Sequence, residues 1–161
     1  MPEFPANLRP ATSVDTAFLF AVYASTREAE LAQINWSAEQ KNAFCYQQAQ
    51  AQANHYRHHY PTAQYFIIES QQQPAGRLYV DHWEKEIRIM DIALLPAFRS
   101  KGIGTQLLRS LQNEASEAGK LLSIHVESFN PARRLYERLG FQVAEDKGVY
   151  QLMTWSPTSL R

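Results

Sequence analysis

Hydrophobic and polar positions recur with two different periods along this chain, and the changes of period mark its elements. Residues 7–10 read as a short strand, set off by the turn-forming prolines Pro2, Pro5 and Pro10. Asp15 then caps a helix that carries Phe18, Leu19, Val22 and Tyr23. Ser37 and Gln40 have capping-box spacing, which predicts a second, longer helix ending ahead of Pro61. Beyond it the period shortens to two. "AQYFIIES", "AGRLYVDHW" and "EIRIMDIAL" read as three strands joined by polar turns. Helical spacing returns from about Gly102 to Ala118, with Ile103, Leu107, Leu108, Leu111 and Ala115 on one face and Gly119 as the stop. "LLSIHVE" is a further strand. Asn130 and Pro131 open a short helix that Gly140 ends, and "FQVAED" and "VYQLMTW" close the chain as strands. This order predicts one α/β domain over residues 1–161, with a central sheet part antiparallel and part parallel, flanked by helices.

Composition narrows the partners. The 161 residues are 45% apolar and 20% charged with a formal net charge of zero, ordinary for a globular chain. With no basic excess, nucleic acid is not an expected partner, and any anion site must come from local clustering. The longest strongly apolar run, Ala17 to Ala24, is far too short to cross a bilayer, so no membrane partner is expected. The opening residues lack the basic start and apolar middle of a signal peptide, and a cytoplasmic location is the expectation. The single cysteine, Cys45, sits within a helical pattern and reads as a buried, inert thiol.

Local clustering does occur at "RSKGIG", residues 99–104, between an apolar strand and a helix. Glycines let the backbone turn tightly and let a ligand approach its N–H groups. A helix start adds unpaired donors and about half an elementary positive charge, and Arg99 and Lys101 add full charges beside it. Such a turn suits a phosphate or pyrophosphate; by spacing alone it also reads as a solvent-facing turn. Neither the Walker loop nor the dinucleotide fingerprint is present, which disfavours ordinary ATP or NAD binding.

Twenty-six residues after this turn comes "NPARRLYERLGF", Asn130 to Phe141. Together with "IALLPAFRSKGIGTQLL" it resembles the GCN5-related N-acetyltransferase superfamily, whose acetyl-coenzyme A loop and N-x-x-A-x-x-L-Y-x-x-L-G-F segment these two stretches match. The resemblance implies that the mixed sheet is of that superfamily's kind, and that acetyl-coenzyme A is the co-substrate. It implies that Gly102, Ile103 and Gly104 offer backbone N–H groups to the pyrophosphate, with Arg99, Ser100, Lys101 and Thr105 adding contacts. Ile92, Ala93 and Leu94 would run beside the pantetheine arm as a neighbouring strand does, while Asn130 and Arg133 would bond its polar groups. Tyr136 falls on the tyrosine that faces the coenzyme sulfur and would act as an acid. The implied reaction is direct acetyl transfer from the thioester to a primary amine; small amines, amino acids and a protein amine all stay open as acceptors, with a small molecule preferred over a protein for so compact a chain. A non-catalytic acyl-coenzyme A sensor of the same fold, or transfer of another acyl group, stands as the alternative. Homodimers are common in the superfamily, but no stretch here demands one.

The chemistry asks for a base, because an alkylammonium with a pKa near ~10.4 must lose a proton before its nitrogen can attack. Asp91 interrupts an apolar strand, and an unpaired buried carboxylate is costly. It reads either as a group that binds the amine or takes its proton, or as half of a structural ion pair near Arg88. His125 alternates with Ile124 and Val126 and so faces away from them; it reads as a base or as a satisfied structural histidine. Glu127 on the same strand face is the reserve base. "STREAELAQINW", Ser25 to Trp36, is expected to join the first two helices and wall the acceptor pocket with Arg27, Glu28, Glu30 and Trp36; Tyr79 and Asp81 are similar candidates. His55 and His59 lie one helical turn apart without a completing ligand, so no metal is expected.

Overall fold

A computed structural model describes residues 6–158; the turn signals Pro2 and Pro5 lie outside them. The chain runs β1 (Ala6–Pro10), α1 (Thr16–Leu31), α2 (Ala38–His59), β2 (Gln64–Ser70), β3 (Gln73–His82), β4 (Glu86–Leu94), α3 (Ile103–Ala118), β5 (Leu121–Glu127), α4 (Arg133–Arg138), β6 (Gln142–Asp146) and β7 (Tyr150–Trp155). The strands form one seven-stranded sheet in the order β1-β2-β3-β4-β5-β7-β6. Every neighbouring pair is antiparallel except β4 and β5, which the intervening α3 joins as a parallel pair.

Asp15 stands at the N-cap position of α1, but its carboxylate accepts from Arg9 and the Thr12 amide and makes no cap hydrogen bond; the signals of the other two long helices act as read. Ser37 accepts from the Gln40 backbone N–H at 3.1 Å while the Gln40 side chain accepts from the Ser37 backbone at 2.9 Å, closing the capping box of α2. Gly119 ends α3 at φ 66°, a left-handed conformation that glycine adopts without strain. One boundary differs. The Ser25–Trp36 stretch is not a joint throughout: α1 continues to Leu31, because Leu31 is itself an inward position, and only the short segment after it connects to α2.

The sheet's two faces are covered differently. Beneath α3, the buried Ile103, Leu107, Leu108, Leu111 and Ala115 meet Leu78, Val80, Ile87, Ile89, Leu122 and Ile124 in one apolar cluster. Removing this much apolar surface from water is the main driving force of the fold, at roughly 25 cal/mol per Å². On the other face α1 and α2 cover a polar and aromatic layer that includes Arg77, Tyr79, Asp81, Arg88 and Ser123, all buried. Each charged side chain there has at least one polar or aromatic partner. Asp81 accepts from the Thr62 hydroxyl at 2.7 Å, and the Arg77 guanidinium lies over the Tyr79 ring at 4.8 Å.

Two irregularities in β4 open the middle of the sheet. Tyr79 pairs with Asp91 and the next residue, Val80, pairs with Ile89, so Met90 is an extra, bulged residue. The bulge shifts the alternation, bringing Arg88 and Asp91 to the same face although they are three positions apart. In addition, β4 pairs with β5 only from Glu86–Leu121 to Ile89–Ile124, while β5 goes on pairing with β7 as far as Glu127–Tyr150. From Met90 onward the two central strands diverge. No helix among the described residues is long and apolar enough to cross a membrane.

Candidate active site

Between the diverging strands lies a cleft of about 1220 Å³. Its floor is Ile92, Ala93 and Leu94 of β4, one end is the turn before α3, and the facing wall comes from the β5–α4 loop and α4. In the turn, Ser100 (φ 61°) and Gly102 (φ 85°) both take left-handed backbone, which reverses the chain sharply into α3. The first amides of α3, those of Ile103, Gly104 and Thr105, have no carbonyl of a preceding turn to bond. The Gln106 amide is the first to find one, donating to Gly102 O at 3.0 Å. Arg99 folds back over the strand end, donating from Nε to Leu94 O at 2.9 Å, with Nη2 3.4 Å from Ser25 Oγ on α1.

Gly104 lies within the helix, where a Cβ would meet only Leu135 Cδ2 at 3.6 Å, an ordinary contact. The fold therefore has room for alanine, which favours helix by about 0.5–1 kcal/mol over glycine in a helix interior. Gly76 is the opposite case: a Cβ there would lie 2.1 Å from Ala93 O, so close approach of β3 to β4 excludes any side chain.

A second cavity of about 630 Å³ opens on the α1/α2 side. The two cavities share Tyr23, Arg27, Gln52, Asp91, Ile92, Glu127, Asn130 and Tyr136, so they meet at a junction. Tyr136 is 4% exposed, and burial together with the Asp91 charge pushes its phenol well above the usual tyrosine range. Asp91 is ion-paired with the buried Arg77, not with Arg88, and Arg77 also donates to Gln52 Oε1 at 2.9 Å. Glu127 Oε1 lies 3.4 Å from Arg27, which pairs with Glu30 as well.

His125 lines the second cavity but not the first. Its Nδ1 is 3.3 Å from Arg88 Nη1, and its buried Nε2 has no hydrogen-bond partner among the described residues. Burial and the charges of Arg88 and Lys147 lower its pKa below the ordinary histidine value. Arg88 is itself clamped: Nε donates to Ser123 Oγ at 2.8 Å, Nη2 to Glu86 Oε2 at 3.0 Å, and the guanidinium lies over Trp83 at 4.9 Å.

Most of the residues named from the sequence thus gather along one path, though not all. Arg99, Ser100, Gly102, Gly104 and Thr105 line the first cavity, as does Asn130, whose side-chain oxygen accepts from the Ala132 amide at 2.9 Å. Ile103 is fully buried beneath α3, so only its backbone is placed to serve the turn, and Lys101 lies outside the lining. Arg133 also lies outside it: the turn at Asn130–Pro131 swings its guanidinium back to donate to Ser128 O at 2.9 Å, and Arg138 at the helix end lines the cleft instead. Arg27, Glu28 and Glu30 reach the first cavity. Trp36 packs edge-on against Phe44, Asp81 bonds Thr62, and Tyr79 lies under Arg77, so these three line neither cavity. The sequence pattern does not mark Tyr23, Gln52, Tyr56, Arg77 and Arg88 as lining residues, yet all five line one cavity or both. Arg77 stands at the same strand parity as Tyr79 and Asp81, but helical Tyr23, Gln52 and Tyr56 carry no comparable signal. His55 and His59 stack at 4.2 Å, and no group of three or more potential metal ligands occurs among the described residues.

A mixed sheet whose one parallel pair opens over a glycine turn and a buried tyrosine thus frames the cleft. The chain belongs to the acetyltransferase (GNAT) family, whose model matches residues 28–141. It is 41% identical over 64 residues to the uncharacterized N-acetyltransferase YycN of Bacillus subtilis, covering 38% of this chain and 41% of that protein. It is 30% identical over 120 residues to mycothiol acetyltransferase of Corynebacterium glutamicum, covering 73% of this chain and 40% of that protein. The chain thus matches about two fifths of the length of these relatives. In fold it is similar to the PaiA N-acetyltransferase of Thermoplasma acidophilum in complex with coenzyme A, with a TM-score of 0.70 at 16% identity over 94% of this chain and 99% of that one. It is likewise similar to a GNAT acetyltransferase of Elizabethkingia anophelis with acetyl-CoA bound, with a TM-score of 0.60 at 16% identity over 94% and 97% of the two chains.

Proposed function

We propose that this protein transfers an acetyl group from acetyl-coenzyme A directly to a primary amine. The observation that carries the reading is the meeting of two cavities at Tyr136: one is bounded by the glycine turn and the open edge of β4, the other is walled by tyrosines and charged groups. A thioester held in the first cavity and an amine entering from the second come together only there. The coenzyme A in the Thermoplasma acidophilum structure supports assigning the first cavity to the coenzyme. The spare space at Gly104 supports close approach of a pyrophosphate to the α3 amides.

The reaction balances with groups at the junction. The neutral amine nitrogen attacks the thioester carbonyl carbon, the C–N bond forms and the C–S bond breaks. The nitrogen gives up its extra proton through water to restore the acid, and the sulfur leaves as a thiol after gaining one proton. Tyr136 supplies that proton. Its raised pKa keeps the phenol protonated at neutral pH, so it meets the departing sulfur as a hydrogen-bond donor. Asp91 and Glu127 attract the incoming ammonium and accept its proton through water, each held in place by an arginine. Most of the acceleration is assigned to positioning, since holding amine and thioester together avoids the entropy cost of encounter.

The test is free-thiol release from acetyl-coenzyme A across a broad amine panel, with Tyr136→Phe alongside. Release with one amine class, slowed about 100-fold in kcat by the substitution, is the expected result. Coenzyme binding without release for any amine would move the assignment to a sensor. Faster release with succinyl- or propionyl-coenzyme A would change the acyl group and leave the site intact.

A further inference from the structure

Resting on that reading, the structure assigns the acceptor class: the second cavity fits an amine that also bears a carboxylate, and His125 binds the carboxylate oxygen instead of removing the amine's proton. Arg88 sets the state of the ring. A guanidinium carries only donors, so its approach to His125 Nδ1 makes that nitrogen the acceptor. The neutral ring then carries its hydrogen on Nε2, the nitrogen that is buried and without a partner among the described residues. His125 therefore presents an N–H donor, and its one lone pair is already taken by Arg88. A ring so held has nothing with which to accept a proton from an amine. Its lowered pKa agrees, since burial and two neighbouring cations oppose a charged ring.

The arrangement of charge gives the class. The carboxylates Asp91 and Glu127 line both cavities and stand at the junction with Tyr136, where the amine must be. Arg88, His125 and Lys147 line only the second cavity, farther from the thioester. His125 is two residues from Glu127 on one strand face, about 6.6 Å of strand rise. That distance takes an ammonium and a carboxylate separated by a few bonds, each with its own hydrogen bond. An amine without an oxygen acceptor leaves the Nε2 hydrogen unpaired in a buried place, which sites built for hydrogen bonding penalise strongly. Lys147 is half exposed and already lies 3.9 Å from Glu145, so it adds only a shared charge; Arg88 is engaged by Ser123, Glu86 and Trp83 and serves to position His125.

The experiment uses matched triplets: an L-amino acid, its amide, and the amine lacking the carboxylate, with aliphatic and aromatic side chains. Thiol release is measured for the wild type, His125→Gln and His125→Phe from pH 6 to 9. The wild type is expected to prefer the amino acid over the decarboxylated amine by at least about tenfold in kcat/KM, mostly through KM. His125→Phe should reduce that preference to about threefold or less, and His125→Gln, which restores an N–H donor but cannot act as a base, should recover a good part of it. The acidic limb of the pH profile should survive in both variants. Equal turnover of the two amines by the wild type overturns the proposal. So does a loss of kcat in His125→Gln accompanied by loss of the acidic limb, which would make His125 the base. Coenzyme A titration of each variant reports whether the fold and first cavity are intact. If no acceptor is acetylated, calorimetric binding of the amino acid against the decarboxylated amine to the coenzyme A-loaded protein still decides: preferential binding of the amino acid supports the class, and equal or absent binding overturns it.

Discussion

Where α3 covers the sheet, the side chains beneath it are Leu78, Val80, Ile87, Ile89, Leu122 and Ile124; where α1 and α2 cover the opposite face, they include Arg77, Tyr79, Asp81, Arg88 and Ser123. The same three central strands supply both sets. On the first face burial stabilises whatever the detailed pairing, because the hydrophobic effect has no direction. On the second, a charge removed from water is tolerable only with a partner at the right distance and angle. Arg77 meets Asp91 and Gln52, Arg88 meets Glu86 and Ser123, and Asp81 meets Thr62. One face is thus a general adhesive and the other a set of specific fits; Asp91 and His125 stand on the specific one, while Tyr136 reaches the junction from the apolar cluster.

The largest expected effect comes from breaking what both faces depend on. Gly76→Ala puts a methyl where Ala93 O already is, forcing β3 and β4 apart at the cleft floor. The melting temperature should fall by more than about 10 °C, consistent with a loss above about 4 kcal/mol. A change of a degree or two would show that the close approach is not needed.

Adjacent residues of β5 then separate the faces. Leu122→Ala hollows the apolar side and should cost about 2–5 kcal/mol while leaving acceptor KM unchanged. Ser123→Ala strips Arg88 Nε of its partner and should cost about 1–3 kcal/mol, but it should also raise acceptor KM by loosening Arg88 and hence His125. Denaturant titration and thiol-release kinetics on both variants check this. Equal kinetic effects from the two substitutions would erase the distinction between the faces.

Gly104→Ala should weaken coenzyme A binding at least about tenfold, read by calorimetry, with the melting temperature unchanged or slightly higher. Unaltered affinity would remove the pyrophosphate from the α3 amides.

The smallest effect is a pH dependence confined to the polar face. The folded state holds His125 below its ordinary pKa of about 6.5, so the folded chain takes up this proton later than the unfolded chain does. Its contribution to stability is therefore whole above about pH 6.5 and declines as the pH falls from there toward the folded pKa. Melting curves between pH 7.5 and 5 should show His125→Phe losing less stability on acidification than the wild type. Parallel loss in both would mean that the ring is not disfavoured as a cation.

The two faces also differ in how far they could be read beforehand. The inward positions of α3, the capping box at Ser37 and Gln40, the stop at Gly119 and the bounds of β4 and β5 follow from local patterns, and each occurs where the pattern put it. Local signals suffice there because periodicity and capping involve residues a few positions apart. Strict alternation along "EIRIMDIAL" would instead have set Arg88 and Asp91 on opposite faces. The bulge at Met90 puts them on one, and it exists only through the register with β3. Likewise nothing within "AGRLYVDHW" or "EIRIMDIAL" identified Arg77 as the partner of Asp91, and nothing within "NPARRLYERLGF" put Arg138 in place of Arg133 as the cleft residue.

By itself, then, the sequence determined the element order, the apolar face and the glycine turn before α3, since these depend on spacing and on backbone freedom at single positions. Tertiary structure alone decided which charge meets which, where β4 parts from β5, and that Arg88 faces Nδ1 of His125. These depend on distances between strands and helices far apart in the chain, and hydrogen bonds, unlike apolar burial, are sensitive to those distances to within a few tenths of an ångström.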